Sequence, residues 1–192
     1  MDEEDLHAYY ASQASYGSLK HHNLLGENGY TQDNELSSKK YRTYTKGDKA
    51  IIAYKGTNPL SLVDLDADAA IALGTHRKNQ EFKEASSVAT KAKEKYKNIT
   101  TTGHSLGGTK AIESANDIGT RAIVFNPGTG LRNLKTGNHK VYQNTDDIIS
   151  KRVEGSNVIK STGGHTLDSF EKKFSVTSKP VNRVSKRVRR FR

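Results

Sequence analysis

The sequence predicts an α/β fold, in which a mostly parallel sheet is flanked by helices. Three observations predict this fold class. Short β-branched and apolar runs alternate with helical patterns through the second half of the chain, and the connections between them are short. The 192 residues, of which 33% are hydrophobic, are enough for the core of one domain. Successive strands linked by helices favour parallel pairing in the centre of the sheet.

The first half of the chain is predicted to hold one helix and one hairpin. Residues 2–16 place Leu and Tyr among Asp, Glu and Ala, with acidic residues in the first turn, which favours a helix. Residues 17–40 are rich in Gly, Asn and Ser and predict a loop. The runs at 41–45 and 49–54 lie on either side of a turn at Gly47-Asp48 and therefore predict a β-hairpin.

The second half of the chain predicts alternating helices and strands. Residues 77–97 carry apolar side chains at spacings of three and four between Lys and Glu, the pattern of an amphipathic helix. The β-branched run 99–102 follows directly and predicts a strand, and residues 106–116 predict a second helix. Further strands are predicted at 121–125 and 139–142.

The net charge of +10 is concentrated at the C-terminal end. Residues 172–192 hold nine Lys or Arg and no Asp or Glu, which leaves 22 basic against 21 acidic side chains in residues 1–171. We therefore expect two parts, a nearly neutral domain of residues 1–171 and a basic tail of residues 172–192.

The composition excludes several classes of protein. No run approaches the roughly 20 apolar residues that span a bilayer, and the acidic N-terminus does not resemble a secretory signal. Because the chain has no Cys, disulfides, Fe–S clusters and thiolate zinc sites are excluded. The seven His residues show no metal-ligand spacing, so no metal or cofactor is expected. We expect an intracellular or virion-associated protein that can lie peripherally on membranes.

A G-x-S-x-G pattern lies between the predicted strand 99–102 and the predicted helix 106–116, and it reads Gly103-His104-Ser105-Leu106-Gly107. In a strand–turn–helix context such a turn exposes the Ser hydroxyl, and the helix N-terminus supplies positive potential where an oxyanion would form. The pattern makes Ser105 a candidate nucleophile. The alternative is a Gly/Ser turn that caps an ordinary helix.

Candidates for the base and the acid that a serine nucleophile needs follow it along the chain. Asp146 and Asp147 come after the strand predicted at 139–142, where a loop at the carboxyl end of a parallel strand would lie beside the Ser105 turn. His165 lies in a Gly-rich loop and is the only His downstream of both Asp residues. The alternatives are a solvated surface His and an Asp pair that forms a turn or a helix cap.

Four segments resemble those of the class 3, fungal-lipase-like lipases of the α/β-hydrolase superfamily. Segment 100–108, Thr-Thr-Thr-Gly-His-Ser-Leu-Gly-Gly, resembles the nucleophile turn of the family and is the most specific of the four. Segment 53–57 resembles the family's F-R-G-[ST] strand end, segment 142–150 its acid segment, and segment 164–170 its closing His segment. The likeness covers residues 45 to 170, about two thirds of the chain.

The resemblance implies a compact α/β-hydrolase fold and a serine esterase or lipase. Such an enzyme acts on carboxylic esters of lipids, either acylglycerols or phospholipids, through an acyl-enzyme, and it requires no metal or cofactor. Ser105 would be the nucleophile and His165 the general base. Asp147, favoured over Asp146, would be the acid of the catalytic triad.

The resemblance also implies an oxyanion hole formed by the backbone N–H groups of Leu106 and Thr57. The alternative for Thr57 is a turn at a strand end. The chain departs from the family pattern in three places: Lys55 replaces an Arg, residues 62–65 replace a Trp, and only 17 residues separate the acid from the base. We therefore expect a compact, open acyl-binding cleft.

The basic tail carries a pattern of its own. Val181, Val184, Val188 and Phe191 recur at spacings of 3, 4 and 3 residues, so a helix over residues 178–192 would place them opposite most of the Lys and Arg. A segment this short does not hold a helix alone in water, and we expect it to order on an anionic membrane surface. The alternatives are a solvated tail, binding of nucleic acid or another polyanion, and a nuclear-import-like address.

Two other functions stay open beside the esterase. One is a catalytically silent lipase-fold module that docks on membranes or in an assembly, and the other is a polyanion-binding protein that acts through its tail. The complete Ser, Asp and His set argues against the first. A nucleic-acid partner is not expected, because residues 1–171 are nearly neutral. The expected partner is a lipid ester substrate, and the sequence specifies no oligomeric state.

Overall fold

The computed structural model describes residues 2–56, 80–129 and 134–175. Thr57 and residues 62–65 lie outside these described residues, as do residues 178–192, for which a membrane-ordered helix is predicted. Within the described ranges, no helix combines the length and the apolar character needed to cross a membrane.

The N-terminal helix and the hairpin form as predicted. Helix α1 (Glu3–Ser15) begins with three acidic residues, which favour the positive end of a helix. Helix α2 (Leu19–Glu27) and strand β1 (Thr31–Asp33) follow α1 in the chain. Strands β2 (Tyr41–Lys46) and β3 (Lys49–Tyr54) then pair antiparallel across a two-residue turn.

The loop predicted for residues 17–40 is wrong over much of its length, because α2 and β1 form there. Helix α2 buries His21 and Leu25. Its His21 ring lies edge-on to the Tyr9 ring of α1, with 5.6 Å between the ring centroids. Packing on α1 stabilises this short helix, and its polar composition does not reveal that packing.

The rest of the described chain alternates between helices and strands, which in chain order are α3 (Gln80–Lys95), β4 (Asn98–Ser105), α4 (Leu106–Ile118), β5 (Arg121–Pro127), β6 (Leu134–Lys135), β7 (Lys140–Asn144), β8 (Val153–Glu154), β9 (Val158–Ser161), a 3₁₀ turn (Leu167–Phe170) and α5 (Glu171–Ser175). The predicted helices and strands match α3, β4, α4, β5 and β7 to within a few residues. The other elements of this set are all short and have no counterpart in the sequence prediction.

Seven of the described strands form one sheet in the order β1-β2-β3-β4-β5-β7-β9. The first three pair antiparallel, and the five from β3 to β9 pair parallel. Strands β6 and β8 form a separate parallel pair. The predicted α/β fold with a mostly parallel sheet is confirmed. Because the five parallel strands point the same way, their carboxyl ends meet at one edge of the sheet.

Helices cover both faces of this sheet. On one face, α3 and α4 pack against Ile52 and Tyr54 of β3. On the other face, α1 packs against Ile51 and Ala53 of the same strand, together with Phe125 of β5. Burial on both faces explains why β3 is an almost continuous apolar run rather than an alternating one.

A buried carboxylate fastens α1 to the sheet. Asp5 is 1% exposed and accepts hydrogen bonds at 2.8 Å from the Lys140 ammonium and from the Tyr142 hydroxyl, both on β7. Farther along α1, Ser12 Oγ lies 2.9 Å from Thr102 Oγ1 of β4. Since a buried carboxylate needs such partners, these contacts set the position of α1 across the parallel strands.

The packed core extends past residue 171, where the charge composition of the chain changes. Phe174 of α5 is fully buried. Its ring stacks on Tyr9 of α1 with 4.5 Å between centroids, and it meets Phe125 and Tyr142 edge-on. The first residues of the basic segment therefore include a side chain of the core.

Phe174→Ala is expected to lower the free energy of unfolding by about 3–5 kcal/mol, because it removes a fully buried aromatic ring. Removal of residues 172–192 is expected to cost at least as much, since it deletes the same ring. Urea unfolding followed by circular dichroism measures both changes. Unchanged stability in the Phe174→Ala variant would contradict this packing.

Candidate active site

Strand β4 ends in a strained turn at Ser105. This residue has φ 55° and ψ −130°, a conformation that L residues rarely adopt and that costs about 1–3 kcal/mol. Ser105 is 1% exposed, and α4 begins at the next residue. The N–H of Gly128, which follows β5, donates to Ser105 O at 3.0 Å. The turn is thus held by the elements around it, as the strand–turn–helix context of the pattern predicts.

Two glycines make the turn sterically possible. A Cβ at Gly103 would lie 2.4 Å from the backbone of Gly107, and a Cβ at Gly107 would lie 2.2 Å from Tyr54 O at the end of β3. Neither distance leaves room for a side chain. Both Gly positions of the G-x-S-x-G pattern are therefore dictated by the close approach of the first turn of α4 to β3 and β4.

A continuous chain of hydrogen bonds joins three of the predicted site residues. His165 Nδ1 lies 2.8 Å from Asp147 Oδ2, and His165 Nε2 lies 2.9 Å from Ser105 Oγ. An imidazole protonated at Nδ1 satisfies both contacts, because it donates to the carboxylate and accepts from the hydroxyl. The alternative acid, Asp146, is exposed, and its carboxylate accepts from Gly163 N–H at 3.3 Å instead. The structure brings Asp147, and not Asp146, to His165.

The surroundings of Asp147 keep its carboxylate ionised. Asp147 is 1% exposed, and it accepts hydrogen bonds from Ile149 N–H at 2.9 Å and from the Ser150 hydroxyl at 2.6 Å. Burial raises the pKa of this carboxyl, but the hydrogen bond and charge of His165, with the two other donors, outweigh burial and hold the pKa below its ordinary value. An anionic carboxylate in this place stabilises an imidazolium at His165.

Two buried Asn residues, which the sequence analysis missed, hold the loop that carries His165. Asn126 Nδ2 and Asn144 Nδ2 donate to Gly164 O at 3.1 and 2.8 Å. The Asn144 backbone N–H in turn donates to Asn126 Oδ1 at 2.8 Å, and both residues are fully buried. They lie at the carboxyl ends of β5 and β7, which are neighbours in the sheet. The available signal in the sequence is an Asn at the end of each of two successive apolar strands.

His104 and Tyr16 hold the same loop from the other side. The His104 ring is fully buried, and its Nε2–H donates to His165 O. Tyr16, which follows α1, places its hydroxyl 3.3 Å from His104 Nδ1 and accepts from Gly56 N–H at 3.1 Å. Burial, with a smaller contribution from His165, lowers the pKa of His104 to about 3. His104 is therefore a neutral hydrogen-bonding group at neutral pH, and it positions the backbone of His165.

Of the two residues predicted for the oxyanion hole, Leu106 lies within the described residues and Thr57 does not. Leu106 is the first residue of the 13-residue helix α4, so its N–H lies at the positive end of that helix beside Ser105. Thr57 lies outside the described residues. Gly56, the residue before it, is described. The Gly56 N would lie 2.8 Å from a Cβ at Gly107, so the end of the strand that leads to Thr57 adjoins the turn.

Among the residues that the structure describes, no group of three or more acidic or His side chains is arranged to hold a metal ion.

Gly107→Ala is expected to lower the free energy of unfolding by about 3 kcal/mol, because the new Cβ would overlap a strand carbonyl. Gly26→Ala is the matched control, since a Cβ there meets nothing within 4 Å and lies inside α2. It is expected to stabilise the protein by about 0.5–1 kcal/mol. Urea unfolding compares the two, and a Gly107→Ala protein as stable as the wild type would contradict the proposed contact.

Asp147→Asn is expected to change how stability depends on pH. The folded-state pKa of Asp147 lies below the unfolded value of about 3.9. Its ionised form therefore adds stability above that pH, and the added stability is lost as the pH falls through the folded-state pKa. The variant is expected to lose less stability than the wild type between about pH 7 and about pH 3 in urea unfolding. Equal losses in the two proteins would contradict this assignment.

Comparison of the chain with curated proteins finds no match. The model of a phospholipase-like family, described as the Tle-like phospholipase domain, matches residues 2–166. This match supports the lipase-like resemblance of the sequence in its broader form, and membership of class 3 stays a prediction. Because the match covers most of the chain, including Ser105, Asp147 and His165, this chain belongs to the Tle-like phospholipase family of lipid hydrolases.

Proposed function

We propose that the protein is a serine esterase that hydrolyses carboxylic esters of lipids, phospholipids or acylglycerols, through an acyl-enzyme on Ser105. The observation that carries the proposal is the unbroken hydrogen-bond chain from Asp147 through His165 to Ser105, with contacts of 2.8 and 2.9 Å. Its place at the carboxyl edge of a parallel sheet, beside the N-terminus of α4, supports the same function. Membership of the family supplies lipid esters as the substrate class.

In the first half of the reaction, His165 Nε2 takes the proton of the Ser105 hydroxyl as Ser105 Oγ attacks the carbonyl carbon of the ester. The carbonyl oxygen becomes an oxyanion, which accepts hydrogen bonds from the backbone N–H groups of Leu106 and Thr57. The bond to the alcohol oxygen then breaks, and His165 gives its proton to the leaving alcohol. The acyl group stays on Ser105.

In the second half, a water molecule attacks the carbonyl carbon of the acyl-enzyme, and His165 Nε2 takes a proton from that water. The bond to Ser105 Oγ breaks, the proton passes to Ser105, and the carboxylic acid leaves. Asp147 stays ionised throughout and keeps the imidazole in the tautomer that accepts at Nε2. In each half of the reaction, every bond that forms is matched by one that breaks, and His165 carries the proton between the reacting oxygens.

The likeness to class 3 lipases is part of this proposal. Segment 142–150 contains both Asp147 and Asn144, and segment 164–170 contains both His165 and the Gly164 carbonyl that the two Asn residues contact. Nothing in the described residues favours a catalytically silent module or a polyanion-binding protein over the esterase. Membrane binding by residues 178–192 and the location of the protein in the cell stay predictions.

Ser105→Ala is expected to lower the kcat for a short-chain ester by at least about 10⁴-fold, because the attacking oxygen is lost. The same change is expected to abolish labelling by a fluorophosphonate. Asp147→Asn is expected to lower kcat by about 10⁴-fold, because the imidazole loses the carboxylate that selects its tautomer. Ester kinetics and intact-protein mass spectrometry measure these effects.

Asp146→Asn and Ser87→Ala are the matched controls, since both residues are exposed and neither contacts the Asp147–His165–Ser105 chain. Both variants are expected to keep most of the wild-type activity. The proposal fails if Ser105→Ala keeps its hydrolytic rate, or if the substitution at Asp146 costs as much as that at Asp147.

A further inference from the structure

A cavity of about 360 Å³ adjoins the Ser105 turn on the side of β3. Leu106, the residue after the nucleophile, forms part of its wall, and so does Gly56 at the end of β3. The remaining lining residues are strongly charged: Lys39, Lys40, Lys55, Lys110 and Glu81. The cavity thus lies beside the predicted reaction centre, and four lysines and one glutamate line it.

The carboxylate of Glu81 is already engaged by one of the four lysines. Lys110, whose side chain is 7% exposed, pairs with Glu81 at 2.6 Å. Lys40 pairs with Glu84 at 2.7 Å across an exposed surface, where an ion pair contributes little stability. No described carboxylate lies within 4.0 Å of Lys39 or Lys55. Among the residues that the structure describes, Lys39 and Lys55 therefore have no carboxylate that offsets their charge.

The strand pairing brings like charges together at this place. Tyr41 and Tyr54 are register partners on β2 and β3, and one position beyond them Lys55 N–H donates to Lys40 O at 2.9 Å. Lys40 and Lys55 thus lie opposite each other, one residue beyond the paired ends of β2 and β3. Like charges in that arrangement destabilise a sheet. Glu84 offsets the charge of Lys40 only weakly, because both side chains of that pair are partly exposed. Together with Lys39, the clustering favours a bound anion that offsets the repulsion.

We propose that this cavity binds the phosphate group of the lipid substrate, with Lys39 and Lys55 as its main ligands. The inference rests on the proposed function, and it assigns recognition of the phosphate group to two named lysines beside the Ser105 turn. In a glycerophospholipid only a few bonds separate the phosphate from the ester carbonyl, so a carbonyl at Ser105 Oγ keeps the phosphate close to the cavity that the next residue, Leu106, lines. Lysine binds phosphate as a point charge, and the positive end of α4 at Leu106 adds to the attraction.

The test compares two substrates that differ only by a phosphate, dihexanoyl phosphatidic acid and dihexanoylglycerol, both kept below their micelle concentrations. Lys55→Gln and Lys39→Gln are each expected to lower kcat/KM for the phosphatidic acid by about 10- to 100-fold, the effect of losing one hydrogen bond to a charged group. The kcat/KM for dihexanoylglycerol is expected to stay unchanged. Lys91→Gln is the matched control, because this exposed lysine lies on α3 ten residues from Glu81, about 15 Å along the helix.

The outcomes separate the proposal from its alternatives. Equal loss on both substrates, or no loss on either, overturns the phosphate site while leaving the esterase intact. A wild-type protein that hydrolyses neither substrate and takes up no fluorophosphonate contradicts the proposed function itself. Inorganic phosphate is the further probe. If it inhibits the wild type and not the two variants, while the variants keep the wild-type substrate preference, the cavity binds free phosphate and the head-group assignment is overturned.

Discussion

The first turn of α4 lies in backbone contact with the end of β3, and only a glycine at position 107 leaves room for that contact. Because Gly107 approaches Tyr54 O so closely, the chain must turn sharply at Ser105, which takes a positive φ between its strand and its helix. The same approach brings Gly56, Leu106 and the lysine-lined cavity to one place. The positions of the candidate nucleophile, the candidate oxyanion donors and the proposed phosphate site therefore all follow from a single steric constraint.

The loop that carries His165 depends on buried neutral groups rather than on its own rigidity. Asn126 and Asn144 hold the carbonyl of Gly164, and His104 holds the carbonyl of His165 itself. The pKa of His104, lowered to about 3 by burial, keeps that ring uncharged beside the His165 imidazole. Positive charge at the site can then develop at His165, where the Asp147 carboxylate offsets it.

The sequence predicted the parts of the fold that local patterns determine. Period and composition identified the parallel strands and the helices between them, and the order of Ser105, Asp147 and His165 along the chain identified the residues that the structure brings into contact. Helix α2 escaped prediction because its stability comes from packing of His21 and Leu25 rather than from propensity. The burial of Phe174 was not predicted, because charge composition does not show which side chain of a basic segment is buried.

The residues that position the site were not predicted from the sequence, for a different reason. Asn126 and Asn144 contact the same carbonyl only because β5 and β7 are neighbours in the sheet, and no local pattern reports that pairing. The lysine cavity likewise joins residues 39, 55 and 110, which the strand pairing and the first turns of α4 bring together. The sequence identified the candidate reacting groups, and the topology of the sheet supplies the residues that position them.

The central claim is that Ser105 carries the acyl group during turnover. An activated ester whose deacylation limits turnover can be mixed with the protein, quenched in acid and digested for mass spectrometry. We expect the peptide containing Ser105 to gain the mass of the acyl group, with about one acyl group per chain, and we expect no adduct in His165→Ala. Ester hydrolysis by the wild type with Ser105 unmodified, or with the acyl group on another residue, would contradict it.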